Sequence, residues 1–195
     1  MTETALTADR IIEAAEDALR RFGLSKATVV DVARALGVSH GSVYRHFPSK
    51  VALRDAVAKR WLARVSEPLE LIALDRSAPD VRLRAWFDAL ITLKHGKALD
   101  DPELFATYMS LAAEVREVVD EHVQTLVVQV AHIIRDGIES GDFAVADSLA
   151  SARAVLNATA RFHNPIHAAE WTHPGIHQSF DEVWALVLRG LSAAR

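Results

Sequence analysis

The sequence predicts an all-α protein of about nine helices. Apolar residues recur at helical spacing along almost the whole chain, and runs of alternating polarity between turn residues are scarce. Glycine and proline divide this pattern into segments of helical length. The chain has 195 residues, half of them hydrophobic, which is enough for one large core and a small additional domain.

Four helices are predicted in the first third of the chain, at about residues 8–22, 28–37, 40–46 and 49–67. Hydroxyl residues suited to N-caps stand where the last three begin: Thr28, Ser39 and Ser49. The first helix should bury a stripe made of Ile12, Ala15, Leu19 and Phe22. Gly37 should end the second helix, and Pro68 should end or bend the fourth.

Five further helices are predicted in the rest of the chain, at about residues 80–97, 102–115, 116–140, 146–163 and 176–193. Breaks between them are marked by glycine and by Asp-Pro, Asn-Pro and His-Pro-Gly sequences. We therefore expect two domains, residues 1–50 and 68–195, which the helix at about residues 49–67 connects.

The charge and the composition exclude several classes of protein. Cysteine is absent, which excludes disulfides, thiolate zinc sites and cysteine nucleophiles. The apolar runs are shorter than the roughly 20 residues of a membrane span, and the N-terminus lacks a signal pattern. These features predict a soluble, cytoplasmic protein without a membrane partner.

Positive charge is concentrated at the N-terminal end, although the net charge is −4. Residues 1–60 hold ten Lys and Arg against seven Asp and Glu, whereas the remaining residues hold twelve against nineteen. A cationic module on an acidic body favours local contact with a polyanion and limits non-specific binding.

The segment from Thr28 to Lys50 predicts two short helices joined by a tight turn, followed by the start of a third helix. No Asp or Glu occurs in residues 32–54, where four cations fall: Arg34, Arg45, Lys50 and Arg54. A small helix with hydroxyls, a tyrosine, cations and no carboxylates suits a polyanion. The pattern predicts a helix-turn-helix that enters a DNA groove.

This segment, with the helix before it, resembles the N-terminal domain of the TetR family of transcriptional regulators over about residues 8–55. The matching residues are Thr28, Val32-Ala33, Gly37-Val38-Ser39, Val43-Tyr44, His46-Phe47 and Lys50. The resemblance implies a repressor that binds a palindromic operator in double-stranded DNA and is released by a small-molecule effector. It also implies a homodimer formed through the last two long helices.

The predicted DNA-binding residues are Thr28, Ser39, His40, Gly41, Ser42, Tyr44, Arg45, His46 and Lys50. Helix N-termini, as at Thr28 and Ser49, bind phosphate through free N–H groups and a positive dipole end. The resemblance implies phosphate contacts for three residues: Tyr44, His46 and Lys50. Base reading would fall to residues 40–42 and to Arg45, whose guanidinium can form two hydrogen bonds to a guanine edge.

By the same resemblance, an effector pocket is expected among the helices of the second domain. Its candidate lining residues are Trp86, Phe87, Leu90, Phe105, Tyr108, Met109, Leu126 and Phe162. A large apolar pocket would suit a hydrophobic small molecule.

A cluster of histidines supports an alternative, a metal-responsive regulator. Its candidate ligands for a divalent metal are His163, His167, Glu170, His173 and His177. Two prolines interrupt the segment, so the spacing does not ensure a shared face. A third hypothesis is an all-α metal-dependent hydrolase. The sequence has no H-E-x-x-H motif, no serine nucleophile elbow and no acidic pair beside the histidines, so we expect neither catalysis nor a required cofactor.

Overall fold

The computed structural model describes residues 5–192 and confirms the all-α class. The helices are α1 (Ala8–Lys26), α2 (Val29–Leu36), α3 (His40–His46), α4 (Lys50–Ala73), α5 (Pro79–Asp100), α6 (Pro102–Glu114), α7 (Arg116–Ser140), α8 (Ser148–Ala158), α9 (Ala160–His163) and α10 (Ile176–Leu191). A 3₁₀ helix, Pro165–Glu170, lies between α9 and α10. The last residue of the predicted final helix, Ala193, lies outside the described residues.

Most boundaries differ by a few residues from the predictions; α1, for example, continues past residue 22 to Lys26 with a kink at Gly23. Two differences are larger. The helix predicted at 146–163 is divided at Thr159 into α8 and α9. The end predicted at Pro68 is wrong, because α4 continues to Ala73. Leu69 and Ala73, which follow Pro68 in α4, are fully buried. Their burial stabilises the end of the helix, although the proline removes one helical hydrogen bond.

The described chain forms two compact units. The first contains residues 5–63 and 101–120, and the second contains residues 64–100 and 121–192. The expected division at about residue 68 assigned residues 101–120 to the second domain, whereas in the structure they belong to the first unit. The first unit is therefore built from two separate stretches of the chain.

The core of the first unit includes residues of α6 as well as of the first four helices. Tyr108 stacks on Trp61 with ring centroids 4.4 Å apart and ring planes within 3°. Its hydroxyl donates a hydrogen bond to the Glu16 carboxylate of α1 at 3.3 Å. Leu111, one turn later on α6, is completely buried. Residues 101–120 therefore supply part of the core that holds α1.

The core of the second unit is larger and richer in aromatic residues. Its largest buried side chains include Leu83, Trp86, Phe87, Leu90, Ile133 and Ile134. Several buried polar groups inside this unit form hydrogen bonds with one another or with the backbone. The Gln129 amide accepts a hydrogen bond from the Trp86 indole at 3.1 Å and donates one to the Ser66 carbonyl at 2.9 Å. No helix within residues 5–192 combines the length and the apolar character that crossing a bilayer requires.

Candidate nucleic-acid interface

The turn between α2 and α3 depends on Gly37. Its φ is +67° and its ψ is 28°, a left-handed conformation that costs other residues energy. This conformation lets the Val38 N–H reach back to the Ala33 carbonyl at 3.0 Å, which satisfies the end of α2. The chain therefore leaves α2 abruptly and starts α3 three residues later.

Helix α3 is held to the core by one side and exposes the other. Val43 is 1% exposed and contributes to the core of the first unit, and Phe47 packs half-buried at the end of α3. The exposed residues are His40, Gly41, Tyr44, Arg45 and His46, and Ser42 is half-buried between them. All of them are predicted DNA-binding residues, and none carries a carboxylate.

Hydrogen bonds organise the start of α3 and orient Arg45. The hydroxyl of Ser39, the N-cap, accepts a hydrogen bond from the Ser42 backbone N–H at 3.2 Å. The Ser42 hydroxyl lies 3.0 Å from that of Ser39 and accepts a hydrogen bond from the Arg45 guanidinium at 3.2 Å. One edge of Arg45 is therefore fixed, and its remaining N–H groups can serve a ligand.

Thr28 is the N-cap of α2, as predicted, and it also forms a capping box with Asp31 that was not predicted. Its backbone N–H and its hydroxyl both donate to the Asp31 carboxylate, at 3.1 and 2.6 Å, and the Asp31 N–H donates to the Thr28 hydroxyl. These hydrogen bonds, chiefly the one from the hydroxyl, lower the pKa of Asp31. A phosphate at Thr28 would have to compete with this carboxylate. The T-x-x-D spacing of a capping box was the sequence signal for it.

The first turn of α4 lies next in the chain after α3. The Ser49 hydroxyl accepts a hydrogen bond from the Ala52 N–H at 3.0 Å, which confirms the predicted N-cap, and Lys50 is exposed. Arg54, one turn further, donates to the Leu24 carbonyl at 2.9 Å and pairs with Glu114. Arg54 therefore stabilises the fold of the first unit and does not add to the exposed positive charge.

The predicted effector-pocket residues fall into both cores. Five belong to the second unit: Trp86, Phe87, Leu90, Leu126 and Phe162. The other three belong to the first unit with the rest of α6: Phe105, Tyr108 and Met109. An open cavity of about 400 Å³ in the second unit has different walls, formed by α4, α7 and the start of α8 and including Glu70, His132 and Arg135.

The structure does not assemble the predicted metal ligands. His167 and Glu170 are 3.0 Å apart, but Glu170 also pairs with Arg161 at 2.7 Å. The His173 ring instead accepts a hydrogen bond from the Gly175 N–H at 3.2 Å, His163 lies 3.1 Å from the Thr159 hydroxyl, and His177 lies near the ring of His95. No group of three or more His, Asp or Glu among residues 5–192 could hold a metal ion. This corrects the metal-site prediction.

Family models match most of the chain. The model described as "Tetracyclin repressor-like, C-terminal domain" matches residues 79–184. The model described as "Bacterial regulatory proteins, tetR family" matches residues 11–57. The chain belongs to the TetR family. The sequence-based resemblance is thereby confirmed, and in this TetR-family chain the second match includes the whole of α2 and α3.

Individual relatives and solved structures agree with this. The HTH-type transcriptional regulator SrpR of Pseudomonas putida is 36% identical over 89 residues, which cover 46% of this chain and 38% of SrpR. The chain spans about two-fifths of the length of the curated relatives it matches. SmeT, the repressor of the Stenotrophomonas maltophilia multidrug efflux pump SmeDEF, has a TM-score of 0.70 and 20% identity, with 98% of this chain and 93% of that chain covered.

Two further structures of the same fold contain ligands. The transcriptional regulator FadR of Bacillus subtilis, in complex with stearoyl-CoA, has a TM-score of 0.64 and 16% identity, with 95% of this chain and 100% of that chain covered. SmeT was also solved as a triclosan complex, with a TM-score of 0.67 and 16% identity over 95% of this chain and 91% of that chain.

The two glycines of the interface should respond in opposite ways to alanine. Gly37→Ala should lower the free energy of unfolding by about 1 kcal/mol, because alanine is strained at positive φ. Gly41→Ala should raise it by up to about 1 kcal/mol, because Gly41 is helical and an added Cβ would meet only the Ser39 hydroxyl, at an ordinary 3.7 Å. Urea unfolding of the two variants measures both effects. Equal effects of the two substitutions would contradict the assigned turn.

Proposed function

We propose that this chain is a DNA-binding transcriptional repressor of the cytoplasm, which acts as a homodimer and leaves its operator when a small molecule binds the second unit. The observation that carries the proposal is the geometry of α3. Val43 anchors this helix in the core, and its opposite side exposes polar and cationic side chains without a carboxylate. Such a helix fits the major groove as a recognition helix does.

The exposed residues divide into two roles. Tyr44, His46 and Lys50 would contact phosphates, which fix the position of the protein and make its affinity depend on salt. Arg45, with one edge held by Ser42, would read a base edge. Gly41 leaves room for a close approach of the α3 backbone to DNA. Phosphate binding at the start of α2 receives less support, because Asp31 already occupies both donors of Thr28.

The dimer would form through α8 and α10. The outer face of α8 carries Ala150, Ala154 and Ala158, all exposed and four residues apart. On α10, Leu186 is 67% exposed, although Phe180 and Trp184 of the same helix are buried in the core of their own unit. Small side chains on α8 beside an exposed leucine on α10 suit close helix packing against a second copy.

A small-molecule effector for the second unit receives support from the family and from two proteins of the same fold. SmeT and FadR were solved with triclosan and with stearoyl-CoA, respectively. A molecule that binds one conformation of the dimer better than the other would shift the protein away from its DNA-bound conformation.

Selection of duplexes from a random pool, followed by fluorescence anisotropy, tests the DNA-binding proposal. Lys50→Ala should weaken binding to selected and scrambled duplexes alike and reduce the salt slope by about 1 per lost phosphate contact. Arg45→Ala should lose discrimination at one base pair of each half-site, worth about 1–3 kcal/mol. Arg76→Ala removes an exposed arginine of the second unit and is the control. If Lys50→Ala and Arg45→Ala both bind as the wild type does, α3 is not the reading helix.

A pair of leucine substitutions tests the dimer. Leu186→Arg should give a monomer, because it places a charge on the face of α10 that the proposed interface buries. Leu71→Arg is the matched control, since Leu71 is 75% exposed on α4 and lies outside the proposed interface. Analytical ultracentrifugation distinguishes the species. A dimeric Leu186→Arg variant, or a monomeric control, would place the interface elsewhere.

A further inference from the structure

Lys94 is a buried cation without a partner. It is 8% exposed and follows Phe87 and Leu90 on one face of α5, at the spacing of successive helical turns, and both of those residues are fully buried. Among the described residues it forms no hydrogen bond or ion pair. Lysine is almost never buried in this way unless it is paired, because removing an ammonium group from water is costly.

The charge of Lys94 acts on two histidines of the same unit. The pairs Arg82–Asp136 and Trp86–Gln129 align α5 and α7 antiparallel, which brings the Lys94 end of α5 towards the start of α7. His122 of α7 is also 8% exposed, and its buried Nε2 has no hydrogen-bond partner. The ring of His163, on α9, lies 6.1 Å from that of Phe87. The pKa of His122 is lowered to about 3 and that of His163 to about 4. The larger cause is burial, and the smaller one is the positive charge of Lys94. Both imidazoles are therefore neutral at pH 7.

Lys94 itself remains mostly charged. Burial, with a smaller contribution from Lys97, lowers its pKa to about 8, so the ammonium form predominates at pH 7. The neighbour that shifts it is another cation, and no carboxylate balances the charge. A neutral His122 can carry its proton on Nε2 and donate it. The cluster thus combines an ammonium group that has no acceptor with a buried imidazole nitrogen that has no partner.

Two other buried or half-buried polar side chains of the second unit have partners that Lys94 lacks. The buried cation Arg82 pairs with Asp136 at 2.6 Å. His95, one residue after Lys94, contacts the Phe162 carbonyl through Nε2 at 2.9 Å and stacks on Trp171 with centroids 4.4 Å apart. The Nε of Arg82 is also without a partner, but its guanidinium has a counter-charge in Asp136, which Lys94 lacks. Lys94 and His122 are left for a group that the chain does not supply.

A metal ion does not explain the cluster. An ammonium group repels a cation, and the described residues contain no third ligand that would complete a site with His122 and His163. An anion fits both the charge of Lys94 and the donor of His122. The surrounding side chains are apolar and aromatic, which suits the non-polar part of an organic molecule.

We infer that Lys94 and His122, beside His163, form an anion site, and that the effector is an organic acid whose carboxylate binds there and whose apolar body lies among the aromatic side chains. The effector role rests on the proposed repressor function, whereas the anion site does not. The carboxylate would supply the counter-charge that Lys94 lacks and accept the His122 proton donor.

Binding of small carboxylates to the full chain without DNA tests the site. The probes are hexanoate, decanoate and 4-phenylbutyrate, each compared with its matched primary alcohol, with tryptophan fluorescence and thermal unfolding as readouts. At least one carboxylate should bind about tenfold or more tightly than its alcohol, the difference expected of a charge-assisted contact. The same carboxylate should weaken binding of a selected duplex.

Variants test whether the preference for carboxylates over alcohols depends on Lys94 and His122. Lys94→Met should bind acid and alcohol alike and should raise the unfolding temperature of the free protein, because it removes an unpaired buried charge. His122→Leu removes the imidazole N–H donor. This substitution alone should also reduce the preference for the carboxylate over its alcohol. Lys97→Met, three residues along the same helix, is the control. This variant should keep the preference for the carboxylate over its alcohol.

The outcomes separate the site from the repressor function. If the wild type binds acids and alcohols equally, or if the preference survives in both Lys94→Met and His122→Leu, the anion site is wrong and the repressor proposal stands. Lys94-dependent binding that leaves duplex affinity unchanged supports the site and overturns its role as the effector site.

Discussion

The core of the first unit is completed by helix α6, and the placement of the recognition helix depends on that packing. Helices α1 to α3 have only about forty residues, and units of this size bury too little apolar surface to be stable alone. Tyr108, stacked on Trp61 and bonded to Glu16, and the buried Leu111 extend this core around α1. Helix α1 contributes Ile11 and Leu19 to the same core as Val43, the residue that anchors α3. The exposed side of α3 is thus set by contacts that include a segment sixty residues later in the chain.

The same segment is joined to the second unit at both of its ends. Residues 101–120 follow α5 directly and continue into α7, so they are covalently attached at both ends to the helices that carry Lys94 and His122. The neighbouring contacts Arg54–Glu114 and Arg54–Leu24 tie α6 and the end of α1 to α4, whose first residue is the exposed Lys50. The helices that carry the proposed DNA contacts and the proposed anion site are therefore joined through this segment of the chain.

Local signals made the α2–α3 motif predictable, and tertiary packing decided the features that were missed. Ser39 and Gly37 act within a few residues, so their cap and turn were evident, and the bounds of α3 are those predicted. Phe22, predicted to be buried, is 44% exposed, and α1 is kinked at Gly23 one residue later. Tyr108 and Phe105 have the spacing of pocket residues, but only the fold shows that α6 belongs to the first unit. The sequence around Lys94 does not indicate its burial, since burial of a charge has no local pattern.

The most direct test of this view is hydrogen exchange of the backbone amides with and without a selected duplex. Peptides that cover α3 and the first turn of α4, residues 39–52, should exchange more slowly when DNA is bound, because phosphates and base edges cover them. The exchange rates of peptides from α5 and from the 3₁₀ helix should change far less on DNA binding. Protection that is absent from residues 39–52, or confined to the second unit, would contradict the assignment of α3 as the element that reads DNA.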